Sequence, residues 1–171
     1  PLYSSAASDV YKRQIHDNTV VYYIQKDICG PVRFFNRMDR KVFLLKLTPG
    51  MSTEIIPHIL SVYDCITIEG FGVGGLPDRL RQALLEEMQH YKAHEKILIM
   101  ATQVTYEGSS MDTYVVGRAA REQLPFLETY DMTLEAVLAK IMWILGLHME
   151  DRKEIERLFY KKINYDLFRN E

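Results

Sequence analysis

Cysteine is scarce in this sequence of 171 residues, which contains Cys29 and Cys65 and no other cysteine. The two lie far apart, and neither belongs to a CxxC or Cys/His spacing, which excludes a disulfide framework and a structural zinc site. The sequence also lacks an apolar run of the roughly 20 residues that a membrane helix needs, and its beginning lacks the order of a secretory signal. We therefore expect a cytoplasmic protein with no membrane partner, no metal and no other cofactor.

Positive charge is not in excess either. Lys and Arg number 21 against 23 Asp and Glu, which gives a formal net charge of -2 at pH 7. Domains that bind nucleic acid carry clustered basic residues, so this balance excludes nucleic acid as a partner. The length and the hydrophobic fraction of 47% are those of one globular domain.

The beginning of the chain has no helical or strand period. Residues 1–14, PLYSSAASDVYKRQ, start without methionine and look like translated adapter sequence. We expect a non-native leader there, with a disordered tail as the alternative. Residues 15–40 are predicted to contain a β-hairpin, formed by 19–23 and 32–35, and a linker. The main domain is predicted over residues 41–171.

Beyond residue 41, short apolar runs alternate with amphipathic helices, a pattern typical of βαβ units around a parallel sheet. Ser52 or Thr53 is expected to cap the first helix, and Asp131 or Thr133 a later one. The segment 114–117 fits either a strand or the entry to a helix. The predicted strands are 42–47, 65–68 and 96–102, and the predicted helices end near residue 60, begin at Pro77, cover 134–145 and cover 151–162.

Glycines follow the second of these strands. Gly70, Gly72 and Gly75 satisfy G-x-G-x-x-G between a strand and a helix. A dinucleotide site also needs an acidic residue at the end of the next strand, where residues 101–103 are Ala, Thr and Gln. A Lys followed by Ser or Thr is missing as well, which excludes a phosphate-binding P-loop. The remaining interpretations are a tight βα turn and a backbone approach to a neighbouring subunit.

The edge of the third strand carries hydroxyl, amide and phenol groups in ATQVTYEG (101–108). These groups could bind an amino acid or simply finish the strand, and the residues alone favour neither. The histidines on predicted helices have no carboxylate or cysteine at ligand spacing, so we interpret them as surface or packing residues; they are His58, His90, His94 and His148. No Ser/His/Asp or Cys/His arrangement can be assembled.

Five segments resemble one family in order and spacing. They are LKLTPGMS (45–52), IEGFGVGGLP (68–77), ATQVTYEG (101–108), TYVVGR (113–118) and DMTLEAVLAKIMWILG (131–146). The chain resembles the C-terminal half of a bacterial L-asparaginase of the cytoplasmic type, type I. The resemblance covers residues 19–160 and implies an α/β domain with a parallel sheet of about four strands, flanked by helices and preceded by a hairpin linker.

The same resemblance implies an amidohydrolase that converts L-asparagine into L-aspartate and ammonia by way of a threonine nucleophile. In the family the nucleophile, a second threonine, an aspartate and a lysine lie in the larger N-terminal domain, in Thr-Gly-Gly-Thr-Ile and Gly-Thr-Asp-Thr motifs. Neither motif occurs in this sequence. We therefore expect a fragment that contains no catalytic residue and is inactive alone.

The C-terminal domain of the family completes the active site of a partner subunit in a homodimer or homotetramer. A freestanding α/β domain that binds a small amino acid without catalysis is the alternative. The residues expected at the substrate or interface edge are Gly72, Gly74, Gly75, Thr102 and Gln103.

Some relatives in the family respond to asparagine as an allosteric activator. The resemblance places their Arg, Asn and Cys at the positions of Glu69, Gly75 and Val104 in this sequence. A carboxylate in place of a guanidinium reverses the charge offered to the carboxylate of the ligand. We therefore expect a vestigial regulatory position.

Overall fold

A computed structural model describes residues 13–16, 19–22, 34–92, 94–104, 108–113, 115–163 and 166–167, with side chains from residue 34 onward. Its centre is a four-stranded parallel sheet in the order β3-β4-β5-β6, so each strand pairs with the next along the chain. The strands are β1 Arg13–His16, β2 Thr19–Tyr22, β3 Val42–Lys46, β4 Cys65–Gly70, β5 Ile97–Thr102 and β6 Phe126–Glu128. The helices are α1 Ile55–Val62, α2 Asp78–Met88, α3 Val115–Gln123, α4 Leu134–Leu145 and α5 Arg152–Phe159. The predicted fold class is confirmed.

Alternate residues of the strands face two separate cores, because successive side chains of a strand point to opposite faces of the sheet. In β5, Leu98 and Met100 pack with apolar residues of α1, α2 and α3. Ile97 and Ile99 pack with residues of α4 and α5 instead. All six residues of β4 are buried. Helices therefore cover both faces of the sheet, and its two ends remain for other contacts.

Among the helices whose preceding residue the structure describes, α4 and α5 have a side-chain cap, and one expected cap is absent. Thr133 caps α4 as predicted, and its hydroxyl accepts a hydrogen bond from the Ala136 N–H at 3.3 Å. Asp151 caps α5 in a similar way. The expected cap of α1 is wrong, because Glu54 occupies the cap position without a side-chain bond. The Ser52 hydroxyl accepts from the Glu54 N–H at 3.3 Å instead, and Ser52 lies two residues before the cap position.

The predicted hairpin has one correct arm. Residues 19–22 form β2, which pairs antiparallel with β1 at 13–16. Phe34 and Phe35 are not in a strand, and residues 32–33 lie outside the described part of the chain. The absence of a strand period in residues 1–14 was therefore misleading for Arg13 and Gln14, whose backbone belongs to β1.

Besides β1, one strand of the main domain has no counterpart in the sequence prediction. β6 contains three residues, Phe126–Glu128, and a period of two cannot be recognised over so short a run. Of the segment 114–117, residues 115–117 form the entry to α3, and residue 114 lies outside the described part of the chain. Within the described ranges, no helix is long and apolar enough to cross a membrane.

Candidate functional site at the carboxyl edge of the sheet

Strands β3, β4 and β5 end side by side, since they are parallel and in register. Lys46 pairs with Glu69, and Gly70 pairs with Thr102. Ligands of open α/β sheets bind at this carboxyl edge. The structure therefore brings the predicted edge residues of β4 and β5 together.

The glycine segment after β4 is a tight turn, as one of the two interpretations requires. The Phe71 N–H donates to the Gly75 carbonyl at 3.0 Å, and the Gly75 N–H donates to the Phe71 carbonyl at 2.6 Å. Gly72 and Gly74 have φ values of 52° and 128°, which side chains rarely adopt. A Cβ on Gly75 would lie 2.9 Å from the Phe71 oxygen. Residues with side chains would therefore be strained at Gly72 and Gly74 and would meet the backbone at Gly75.

Thr102, the last residue of β5, holds this turn from the side. Its hydroxyl donates to the Gly72 carbonyl and accepts from the Val104 N–H at 2.9 Å. Both hydrogen-bonding functions of the hydroxyl are therefore engaged within the chain. In this arrangement Thr102 supports the turn, and its oxygen is not presented as a nucleophile.

Gln103 joins three strand ends through its side-chain amide and its backbone. Its Nε2 donates to the Leu47 carbonyl at 2.8 Å and to the Glu69 carbonyl at 3.0 Å. Its backbone N–H donates to the Gly70 carbonyl at 3.3 Å. The side chain is half-buried, so these bonds are partly sheltered from competing water.

Glu69 and Lys46 form an ion pair beside these residues. Lys46 Nζ lies 3.4 Å from Glu69 Oε2. The Glu69 residue is 9% exposed, whereas the Lys46 side chain is 61% exposed. The carboxylate at the predicted regulatory position therefore has a cationic partner from the adjacent strand.

A second loop, 108–113, packs against the glycine turn. The Ser110 N–H donates to the Val73 carbonyl at 2.6 Å. The Met111 side chain also stands close to Gly74, where a Cβ would lie 3.3 Å from Met111 Cγ. The turn is consequently held on two sides, by the end of β5 and by this loop.

Glu128 anchors the loop 108–113, and sequence reasoning missed it. The residue is 3% exposed, and its Oε1 accepts from the Met111 N–H at 2.6 Å. Its Oε2 lies 3.7 Å from Arg121 Nη1, which also contacts Asp112. The sequence shows an acid directly after the short apolar pair Phe126 and Leu127. Because no strand was predicted there, this acid was not recognised as a residue at the carboxyl edge of the sheet.

Ser109 and Thr129 form the buried continuation of this network. Their hydroxyl oxygens lie 3.2 Å apart, and the Ser109 hydroxyl accepts from the Tyr130 N–H at 2.7 Å. Burial alone would lower the pKa of the nearby Arg121 guanidinium. The charges of Asp112, Tyr130 and Glu128 outweigh burial, so the pKa of Arg121 is raised. The Ser109 hydroxyl and the Glu128 carboxylate bind backbone here, which makes them structural supports of the edge.

The histidines do not belong to this edge. His58, His90 and His148 are exposed, and His94 is half-buried. His94 and His148 instead line a cavity of about 360 Å³ with Asp64 and Lys96, which precede β4 and β5 at the opposite end of the sheet. Across the part of the chain that the structure describes, no group of three His, Cys, Asp or Glu side chains is arranged to hold a metal ion.

Comparison with known proteins decides the family. Residues 41–159 match the family model of the glutaminase/asparaginase C-terminal domain. The chain belongs to this family. The resemblance to asparaginases is thereby confirmed at the level of the domain, while the bacterial cytoplasmic type stays a prediction.

Two groups of curated relatives illustrate the similarity. An L-asparaginase of Thermococcus kodakarensis is 39% identical over 134 residues, which cover 78% of this chain and 40% of the relative. A glutamyl-tRNA(Gln) amidotransferase subunit from Pyrococcus horikoshii is 30% identical over 124 residues, which cover 72% of this chain and 27% of the relative. The chain thus spans less than half the length of either protein.

Solved structures agree with the fold. The thermostable L-asparaginase from Thermococcus kodakarensis aligns with a TM-score of 0.73 and 32% identity, covering 91% of this chain and 46% of that one. L-asparaginase I from Vibrio cholerae aligns with a TM-score of 0.69 and 22% identity, covering 86% and 43%. At the latter identity the similarity supports the fold alone.

Proposed function

We propose that this asparaginase-family domain is the C-terminal part of an L-asparaginase that hydrolyses L-asparagine to L-aspartate and ammonia. The observation that carries the proposal is the backbone-lined glycine turn at the carboxyl edge, in a chain 39% identical to an L-asparaginase. The parent enzyme is a cytoplasmic homodimer or homotetramer in this proposal. In the same proposal, residues 1–14 are a non-native leader whose last two residues, Arg13 and Gln14, extend β1; residues 15–40 are a linker from an N-terminal domain, and 41–171 are the C-terminal domain.

The role of the domain in this proposal is to complete the active site of a partner subunit. Its support is that the edge is a fixed surface: the Thr102 hydroxyl binds Gly72 and Val104, and the Gln103 amide binds two strand ends. Neither side chain is paired with a general base in these contacts. A positioning surface and not a nucleophile is therefore what the edge contributes.

The proposal is tested with the chain alone and with a hybrid enzyme. In the hybrid, residues 34–171 of this chain replace the matching part of the Thermococcus kodakarensis L-asparaginase. The chain alone is expected to release ammonia from L-asparagine no faster than buffer, whereas the hybrid is expected to turn over. Gly74→Ala should reduce the hybrid rate, because Gly74 has a φ of 128° that alanine adopts only with strain.

Two outcomes would contradict the proposal. A hybrid that folds and assembles like the Thermococcus enzyme but releases no ammonia would separate this domain from asparagine hydrolysis. Turnover by the isolated chain after stringent purification would refute the division of roles between the two domains.

A second candidate function is supported by the amidotransferase relatives, which are 27–33% identical to this chain. In that case the domain is part of a glutamyl-tRNA(Gln) amidotransferase. The hybrid assay separates the two candidates: release of ammonia from asparagine without added tRNA favours the asparaginase. Turnover that requires glutamyl-tRNA(Gln) favours the amidotransferase, and binding of a free amino acid by the isolated chain without turnover of the hybrid favours the freestanding domain.

A further inference from the structure

The Gln103 side chain extends the hydrogen-bond ladder of the sheet beyond the last residues of the strands. Parallel strands exchange evenly spaced backbone hydrogen bonds. Between β3 and β4, the last of these bonds is donated by the Leu47 N–H to the Glu69 carbonyl at 3.2 Å. Gln103 Nε2 continues the ladder by donating to the carbonyls of both of these residues, at 2.8 and 3.0 Å. One side chain from the end of β5 therefore ties the ends of β3 and β4.

The chemistry of the amide explains why glutamine suits this place. A glutamine NH₂ group has two donor hydrogens, and the two carbonyl oxygens use both. Glutamate has the same shape, but its ionised carboxylate accepts hydrogen bonds and cannot donate them. At this position it would set negative oxygen against two carbonyl oxygens. Alanine would leave both carbonyls without this donor and would introduce no repulsion.

The hydrogen bonds of the Gln103 amide lie at the point where β4 ends and the glycine turn begins. Glu69 precedes by two residues Phe71, where the turn closes on Gly75. The backbone N–H of Gln103 also binds the Gly70 carbonyl at 3.3 Å, and its neighbour Thr102 binds the Gly72 carbonyl. Consecutive residues at the end of β5 thus hold both the entry and the tip of the turn.

We propose that Gln103 is a positioning residue for the glycine turn, because its amide bridges the Leu47 and Glu69 carbonyls at the point where the turn begins. It fixes the direction in which the turn leaves the sheet. The consequence for substrate binding at a partner active site rests on the function proposed above. The position of the turn itself does not, and it can be measured on this chain.

The test uses hydrogen exchange of the Gly75 N–H, measured by NMR on the full chain and expressed relative to Ile99 in the middle of β5. Gln103→Ala is expected to raise this relative exchange about tenfold and Gln103→Glu by more. Gln82→Glu, the same chemical change on the exposed surface of α2, is the matched control and should leave it unchanged. Global destabilisation would speed exchange at the mid-strand Ile99 N–H at least as much as at Gly75, so it would not raise this ratio.

Acidification supplies a readout that a general loss of packing would not produce. A protonated glutamate carries an O–H donor, so lowering the pH through the ordinary glutamate range of about 4.3 should restore part of the Gly75 protection in Gln103→Glu. Gln103→Ala has no such group and should not recover. Relative exchange within twofold of wild type in Gln103→Ala, or a Glu variant without recovery, would overturn the proposal.

The hybrid enzyme then tests the consequence for substrate binding. Gln103→Ala in the hybrid is expected to raise KM for asparagine severalfold and to change kcat little, since a displaced turn alters binding and not the nucleophile. An inactive wild-type hybrid would count against the proposed function while the exchange experiment still decides the role of Gln103. An active hybrid whose KM ignores the substitution would remove the link between the turn and substrate binding.

Discussion

Glu128 is the buried support of the edge, and removing its carboxylate should destabilise the whole chain. Its side chain is 4% exposed, and its Oε1 binds the N–H of Met111, which is itself 1% exposed. Glu128→Ala removes a charged acceptor and leaves that buried N–H without it. Hydrogen bonds to charged groups contribute about 1.5–3 kcal/mol, and an unsatisfied buried donor costs about 1–3 kcal/mol.

We therefore expect Glu128→Ala to lower the free energy of unfolding by about 3 kcal/mol. At about 2–4 °C of Tm per kcal/mol for a chain of this size, the melting temperature should fall by roughly 6–12 °C. Glu128→Gln keeps an oxygen acceptor and should lose about 1 kcal/mol.

Thermal unfolding followed by circular dichroism measures these differences, with urea titration as a second probe. Glu122→Ala, which replaces an exposed acid on α3, is the control and should stay within about 0.5 kcal/mol of wild type. If Glu128→Ala were as stable as this control, the inference that the buried carboxylate anchors the loop 108–113 would be wrong.

Two further predictions concern the core and the surface. Burial raises the pKa of the Cys65 thiol to about 12, above the value of about 8.5 in an unfolded chain. The thiol of the unfolded state therefore ionises first as the pH rises. The free energy of unfolding should fall by up to about 1.4 kcal/mol per pH unit above about pH 8.5, and it should not change for this reason at lower pH. Urea unfolding at pH 7.5, 8.5 and 9.5 checks this, and Cys65→Ala should flatten the decline. Because Phe34 and Val115 are 91% and 73% exposed, the isolated chain is expected to self-associate and to bind a hydrophobic dye; sedimentation as a monomer at high concentration without dye binding would contradict this.

The sequence predicted those parts of the fold whose signal is local. β4, the glycine turn and α2 follow from a buried apolar run, three glycines and Pro77, and each lies within a few residues of its predicted place. β6 was missed because its stability comes from pairing with β5 and from the packing of Leu127. Neither interaction leaves a periodic pattern in three residues.

The candidate edge was predicted in its composition but not in its contacts. Thr102 and Gln103 stood out as polar residues at the end of a strand, which the structure places beside the glycine turn. The partners of Gln103 depend on which strands are neighbours, and the anchor Glu128 comes from a strand that was not recognised. Both are long-range relations, so the spacing of residues along the chain does not contain them.

Regulation of the proposed full-length enzyme is the last expectation, and the geometry of the edge bears on it directly. The resemblance places an arginine, an asparagine and a cysteine of activated relatives where this chain has Glu69, Gly75 and Val104. Glu69 lies 3.4 Å from Lys46, so its carboxylate is engaged and repels another. A side chain on Gly75 would begin with a Cβ 2.9 Å from the Phe71 oxygen, so an asparagine amide could enter only after the turn had shifted.

With Glu69, Gly75 and Val104 in place of the arginine, asparagine and cysteine of activated relatives, activation by asparagine at a second site should be absent. Each charge-assisted hydrogen bond that a guanidinium would form with the activator is worth about 1.5–3 kcal/mol, and about 1.4 kcal/mol is a tenfold change in affinity. If the chain belongs to an L-asparaginase as proposed, the full-length enzyme is expected to follow hyperbolic kinetics in asparagine, measured as initial rates of ammonia release. Glu86→Gln, which replaces an exposed acid on α2, is the control for Glu69→Gln. Sigmoidal curves that become hyperbolic in Glu69→Gln but not in Glu86→Gln would mean that Glu69 serves a regulatory site of different chemistry, because then the carboxylate itself would be what the activator requires.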